Sequence, residues 1–329
     1  MRLRLFAPLL LAVLLHCNLF AQTITYNLPD GFKNTVNTAE YKTIVDTAIT
    51  EIAKRYKIDN VKNGTITLAS GQGMQVFNLD NLILKCSKEA DHSKWPAIIK
   101  AHFNAIFSSI EAQKGIDAFN YDKIKPYLSV RIYNDATIAQ RGGTETLVAR
   151  TDLAGTKSLL MLDLPDAFTP VSKKQFEAWQ KHTDDVFTDA LANVANKQMA
   201  SASPTIDIDG AKIEFTFLEN EDYAASYALN LAINKPALVG EWGSVVAIPN
   251  KGLISICKIS KAKPVDFVKF IQRMLPLINK SYSESTAPVS NQFFWYYQGK
   301  FTVVPVTVDD KNNVHVATPP GLSALMTEK

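Results

Sequence analysis

The chain has 329 residues, of which 47% are hydrophobic and 10% aromatic, which excludes a disordered or low-complexity protein and allows one large or two ordinary domains. Its formal charge of +3 gives no bulk electrostatic case for nucleic acid or an anionic membrane surface. Three cysteines, Cys17, Cys86 and Cys257, are too few for a disulfide framework in a chain of this length.

Residues 1–21 read as a signal peptide. Arg2 and Arg4 supply the positive start, "LFAPLLLAVLL" an apolar run too short to span a bilayer, and "NLFAQ" a cleavage position after Ala21. A transmembrane anchor and a lipoprotein attached through Cys17 are the alternatives. His16 stands where a lipoprotein signal wants a small residue, so cleavage after Ala21 is preferred. The mature chain is then exported, periplasmic or extracellular, with a formal charge of +1 once Arg2 and Arg4 are gone. No later run approaches the length of a membrane span, so no stable membrane insertion is expected after cleavage. Export permits a Cys86–Cys257 bridge, but two buried free thiols are the simpler expectation.

Within residues 22–140, "TAEYKTIVDTAITEIAKRYK" places Tyr41, Ile44, Val45, Ala48, Ile52 and Tyr56 on one helical stripe. "NGTITLASGQGMQVFNL" alternates as two short strands around a Ser-Gly-Gln-Gly turn. "SKWPAIIKAHFNAIFSSI" predicts a second helix with Ser93 as N-cap, and Cys86 falls in another helical stretch. "YLSVRIYN" predicts a strand from about residue 127.

Residues 141–309 alternate hairpins and helices. "TLVARTDLAGTKSLLMLD" is a hairpin turning near Ala154-Gly155, and a helix follows from the Ser172/Gln175 capping box. "TIDIDGAKIEFTF" turns at Asp209-Gly210, and "EDYAASYALNLAI" is helical. "VGEWGSVVAIPNKGLISICKI" turns at Pro249–Gly252. A helix starting at Pro264 should kink or end near Pro276, and "FFWYYQGKFTVVPV" turns at Gln298-Gly299. Short hairpins mean antiparallel pairing, and helices with one apolar face must cover it. The expected fold class is α+β: an antiparallel sheet built from successive β-hairpins alternating with covering helices. Residues 310–329 read as a partly ordered tail.

"EDYAASYALN", "VGEWGSVVAIPNKGLISI" and "FFWYYQGKFTVVPV", in that order, resemble the C-terminal half of the bacterial YtpQ-like proteins, a domain family of unknown function. "TLVARTDLAGTKSLLMLD", "FEAWQ" and "ALANVANK" are similar to that family as well, so the likeness covers roughly residues 144–306. It implies a fold and no established activity. This chain departs from the family in carrying a signal peptide.

Chemistry-bearing residues are sparse. His92, His102, His182 and His315 stand at no metal-ligand spacing to one another or to a cysteine, and no phosphate loop, dinucleotide fingerprint or nucleophile elbow is present. Neither cofactor nor metal is expected. In "ARTDLAG", Arg150 and Asp152 would face the same side of a strand. With Arg131 on the preceding strand and Asp163 on the following one, they define a candidate charged patch for a ligand. Asp222 reads as a first-turn carboxylate favoured by the helix dipole. In "FFWYYQGKF", Trp295 and Tyr297 share a face that is either buried under a helix or offered to a partner or carbohydrate. The expected function is a non-catalytic binding or accessory module that meets an unknown protein, peptide or surface ligand through sheet and hairpin surfaces. The alternative is a hydrolase whose dispersed catalytic residues would include Arg150, Asp152 and Asp163.

Overall fold

The structure, a computed structural model, describes residues 23–69, 76–114, 116–140, 142–164, 167–208 and 210–327. The signal segment with Cys17, the Ser-Gly-Gln-Gly turn and Asp209 lie outside the described residues. The chain divides into two compact units between Phe103 and Asn104. The sequence reading sets its own boundary later, at residues 140/141.

The first unit contains β1 (Thr23–Ile24), α1 (Thr38–Ala53), β2 (Ile58–Lys62), β3 (Thr65–Leu68), β4 (Val76–Asn78), α2 (Asp80–Ser87) and the start of α3 (Trp95–Lys114). Asn37 caps α1 in a reciprocal box with Glu40, satisfying orphan amides at the helix start. Of the expected stripe, Tyr41, Ile44, Val45, Ala48 and Ile52 are fully buried, while Tyr56 lies past the end of α1 and is half-buried. The sheet runs β1-β2-β3-β4, with β1 parallel to β2 and the other pairs antiparallel. Strand β2 escaped the sequence reading because "IDNVK" alternates too weakly. The expected N-cap Ser93 lies inside a 3-10 turn capped by Asp91 instead.

The second unit continues with α4 (Tyr121–Ile124), β5 (Leu128–Asn134), α5 (Asp135–Gln140), β6 (Ala149–Arg150), β7 (Thr156–Leu164), β8 (Ala167–Pro170), α6 (Lys173–Trp179) and α7 (Thr183–Ala195). Next come β9 (Ala200–Ala202), β10 (Thr205–Ile208), β11 (Ala211–Glu214), β12 (Thr216–Glu219), α8 (Ala224–Ala228), α9 (Leu231–Asn234), β13 (Ser244–Asn250) and β14 (Leu253–Lys258). It closes with α10 (Asp266–Ser283), β15 (Phe293–Tyr297), β16 (Lys300–Val304), β17 (Val306–Val308), β18 (Val314–Val316) and α11 (Pro320–Thr327). The class is α+β as expected, but the hairpins do not add to one sheet. β5, β7, β6 and β8 form one sheet, and a six-stranded sheet runs β16-β15-β13-β14-β12-β9. All pairs in both are antiparallel.

The six-stranded sheet is apolar on both faces. One face sends Leu218, Val246, Ile254, Ile256, Phe294 and Tyr296 into a core shared with α7, α8 and the inner face of the smaller sheet. The other sends Val245, Ala247, Cys257, Phe293 and Trp295 against α10. Each large side chain so buried contributes about 1.5–3 kcal/mol of transfer free energy. The aromatic run of β15 is therefore buried on both sides, as its alternation allows. Its turn uses Gln298 and Gly299, both at positive φ, which suits a two-residue hairpin. Beside that end of β15, Gly243 has φ +82°, and a Cβ there would lie 2.2 Å from the Tyr296 carbonyl oxygen.

Three helical expectations change. The helix read from Ser172 breaks at Gln180, in a left-handed conformation, into α6 and α7. The stretch at 221–233 yields two short helices, α8 and α9. α10 begins at Asp266 and runs through Pro276, because Phe270, Ile271, Met274 and Ile278 anchor the turns on both sides of the proline and offset its lost hydrogen bond. The tail is structured through Thr327: β18 pairs with β17, and α11 inserts Leu322 into the α10 core. Among the described residues, no helix is long and apolar enough to cross a membrane.

Trp295, offered above as a candidate ligand-stacking residue, is 7% exposed. Its indole nitrogen donates to the Trp242 carbonyl at 2.7 Å, and its ring stacks on Tyr297 at 5.2 Å between centroids. Trp295→Ala is expected to lower unfolding free energy by about 3–5 kcal/mol in urea titration. An unchanged midpoint would show that the ring is not core.

Candidate functional site

The register of the smaller sheet sorts the candidate charges. Arg131 pairs with Leu159, and Arg150 with its neighbour Ser158, so the two arginines point to opposite faces. Asp163 has the parity of Leu159 and shares the face of Arg131. The expected single patch of Arg131, Arg150, Asp152 and Asp163 is thus split across the sheet.

Arg150 lies on the inner face, its guanidinium 4.2 Å from the centre of the Phe187 ring. Its Nε reaches both carboxylate oxygens of Asp152 at 3.0 and 3.1 Å, so the expected pair forms, with Asp152 just beyond the two-residue strand β6. Backed by a core aromatic, this pair holds the β6–β7 turn together.

On the other face Arg131 lies 3.7 Å from the centre of the Phe168 ring. Its Nη2 bonds Asp222, whose Oδ1 also accepts from Lys251 Nζ at 2.8 Å. Asp222 precedes α8 and is aimed by Asn220, whose side-chain oxygen accepts from the backbone amides of Asp222 and Tyr223. The dipole reading of Asp222 is corrected here: two cations, rather than a helix start, hold it. Burial opposes its ionisation, yet Lys251 and Arg131 outweigh that and hold the carboxyl below its ordinary range. Arg131 Nε is buried without a hydrogen-bond partner, and the adjoining cavity of about 20 Å³ has room for one water.

Asp163 forms a second cluster. Its Oδ2 accepts from Tyr223 Oη at 2.6 Å and from Lys197 Nζ at 2.8 Å. Burial and the Asp163 carboxylate push the Tyr223 phenol up to about 12. Burial pulls the Lys197 ammonium down, but its bonds to Asp163 and Tyr223 win and raise it. A cleft of about 280 Å³ opens beside this cluster, with Ser129, Asp163, Asn193, Asn196 and Lys197 as its polar lining. Ser129 follows Leu128 at the start of β5, is 1% exposed, and its hydroxyl has no partner.

The sequence reading passed over Ser129, Asn193, Asn196, Lys197, Tyr223 and Lys251. One signal was present: Ser129 and Arg131 alternate with Leu128 and Val130 in "LSVRIYN", marking a polar face on an otherwise apolar strand. Nothing in the sequence joins that face to residues 60–120 positions away.

The remaining chemistry-bearing residues lie elsewhere. Cys86 and Cys257 are free and buried, and burial pushes their thiols up to about 11 and about 12, opposing the thiolate a nucleophile needs. His92 stacks on Trp95, His182 begins α7 without capping it, and His315 lies 3.1 Å from Asp309 on the exposed β17–β18 hairpin. His102 is pushed down to about 4, chiefly by burial and secondarily by Lys85. Among the described residues, no three of His, Cys, Asp and Glu gather as a metal site would require.

No family model matches this chain, and no curated protein or solved structure matches it.

Two consequences are measurable. Asp222→Asn removes the charge shared by Arg131 and Lys251, both largely buried, while Asp222 itself is partly exposed. A loss of about 1–2 kcal/mol is expected in urea titration, and an unchanged midpoint would contradict the pairing. His102 gives a pH dependence with a defined sign. The unfolded imidazole takes its proton near pH 6.5 and the folded one only near pH 4. Between those values the unfolded chain binds more protons, so stability is full above pH 6.5 and falls as pH drops towards 4. Melting temperature followed over that window should decline in the wild type and less steeply in His102→Leu.

Proposed function

We propose that this protein is exported and acts as a non-catalytic binding or accessory module through the sheet surfaces of its second unit. The observation that carries the binding reading is a division of labour among the polar groups. Arg131, Arg150, Asp152, Asp163 and Asp222 are each held in an intramolecular ion pair, while a polar cleft of about 280 Å³ opens beside Asp163 with a buried, unpartnered serine in its wall. Ion-paired charges with fixed partners support a scaffold role, and a preformed polar concavity supports a ligand. The separation of Arg150 and Asp152 from Asp163 across the sheet weighs against the three sharing one hydrolytic centre.

Export rests on the charged start, apolar run and cleavage position of residues 1–21. The likeness of residues 144–306 to the YtpQ-like domain belongs to the same reading, since strands β6 to β16 fall within that span.

A single preparation tests the reading. Protein recovered from the exported fraction should begin at Gln22 by mass spectrometry, and it should turn over none of a panel of esters, peptides and glycosides. Cytoplasmic retention with residues 1–21 intact would overturn export. Turnover lost on Asp163→Asn in a folded protein would overturn the non-catalytic reading.

A further inference from the structure

We propose that the cleft beside Asp163 binds a neutral polyhydroxylated ligand, a sugar; this names the ligand class for the site in the binding reading above and rests on it.

The cleft is built by three elements. Strand β5 contributes Ser129, and β7 contributes Asp163 on the same sheet face, since Ser129 pairs with Met161 and Asp163 lies two residues on. Helix α7 ends beside them: Asn193 stands in its last turn, Asn196 is its C-cap and Lys197 follows directly. Pro126 and Leu128 supply apolar wall. The cleft, of about 280 Å³, is open to solvent and far roomier than a single-water site.

The polar groups offer both bonding senses at close quarters. Asn193 spends its amide nitrogen on the Lys125 and Leu128 carbonyls at 2.8 and 2.9 Å, which fixes its orientation and leaves its oxygen as an acceptor. Both bonds to Asp163 land on Oδ2, leaving Oδ1 to accept. Lys197 has further donor capacity, and the Ser129 hydroxyl can give or take a proton. Hydroxyl groups match such a lining because each is donor and acceptor at once.

Charge decides between ligand classes. The lining carries one carboxylate and one ammonium, bonded to each other at 2.8 Å. The pair is neutral as a unit, so neither an anion nor a cation meets an uncompensated charge in the lining. A neutral ligand leaves the pair intact. Ser129 supplies an independent reason for a ligand: of the buried hydroxyls without a partner, Ser129 is the one that lines this cleft, where a ligand would complete its bond.

The test is calorimetric titration of the purified full chain with glucose, galactose, maltose and cellobiose, beside glucuronate, glucosamine and inorganic phosphate. At least one neutral sugar should bind with a Kd of about 1 mM, as expected for a small ligand in an open cleft, and the charged probes should bind more weakly. Ser129→Ala should weaken that sugar about fivefold while leaving the melting temperature unchanged or raised, since it removes an unsatisfied group. Asn196→Ala, at the exposed C-cap of α7, should weaken it with the fold intact. No saturable binding of any neutral sugar, or undiminished binding by both variants, overturns the proposal. Hydrolysis of a bound disaccharide would overturn the non-catalytic reading while leaving the ligand class standing. A protein partner retained by the chain, together with failure of every sugar, would overturn the ligand class while leaving the binding reading standing.

Discussion

The second unit depends on a sheet that is buried on both faces. Strand β15 shows the constraint most clearly: Phe293 and Trp295 enter the α10 core while Phe294 and Tyr296 enter the core shared with the smaller sheet. Neither core can form without the sheet between them, so the hairpins and helices become one cooperative structure. The close approach at Gly243, the passage of α10 through Pro276 and the insertion of Leu322 follow from the need to keep these two surfaces covered.

The polar face of the smaller sheet is the counterpart of this arrangement. The inner face is committed to the core, where even Arg150 lies against Phe187. The outer face carries Arg131 and Asp163, and each is neutralised from elsewhere in the chain: Asp222 comes from the start of α8, and Lys197 from the end of α7. Asp222 and Tyr223 are adjacent in sequence and each bonds one of the two clusters, so the segment before α8 links them. The cleft lies where the edge strand β5, β7 and the end of α7 meet, with its polar groups already oriented by bonds to the scaffold.

Much of this architecture could be read from local pattern. The α1 stripe, the Gln298-Gly299 turn, the Ser172 capping box and the two-sided aromatic strand each express a short-range rule of backbone geometry or side-chain alternation, and each stands in the structure; the turn expected over Pro249–Gly252 narrows to Lys251-Gly252 because β13 runs through Asn250. Distant contacts decide what local pattern leaves open or would oppose. Pro276 does not end its helix because buried neighbours hold both sides. Residues 310–327 are ordered because β17 and the α10 core receive them. Trp295, which could have faced a ligand, faces Gly321 and the Trp242 carbonyl.

The amino-acid sequence by itself determined the class of fold, the places where the chain turns and the side chains able to form a core, because period and turn chemistry act within a few residues. It also contained the Arg150–Asp152 pair, whose members stand two positions apart. Only the tertiary structure decided which face of a strand each charge occupies, that Arg131 is held by Asp222 and Lys251, and that Ser129, Asp163, Asn193, Asn196 and Lys197 border one cleft. Those are matters of sheet register and of contacts between residues tens of positions apart. They are set by burial and electrostatics in three dimensions, for which linear spacing carries no code.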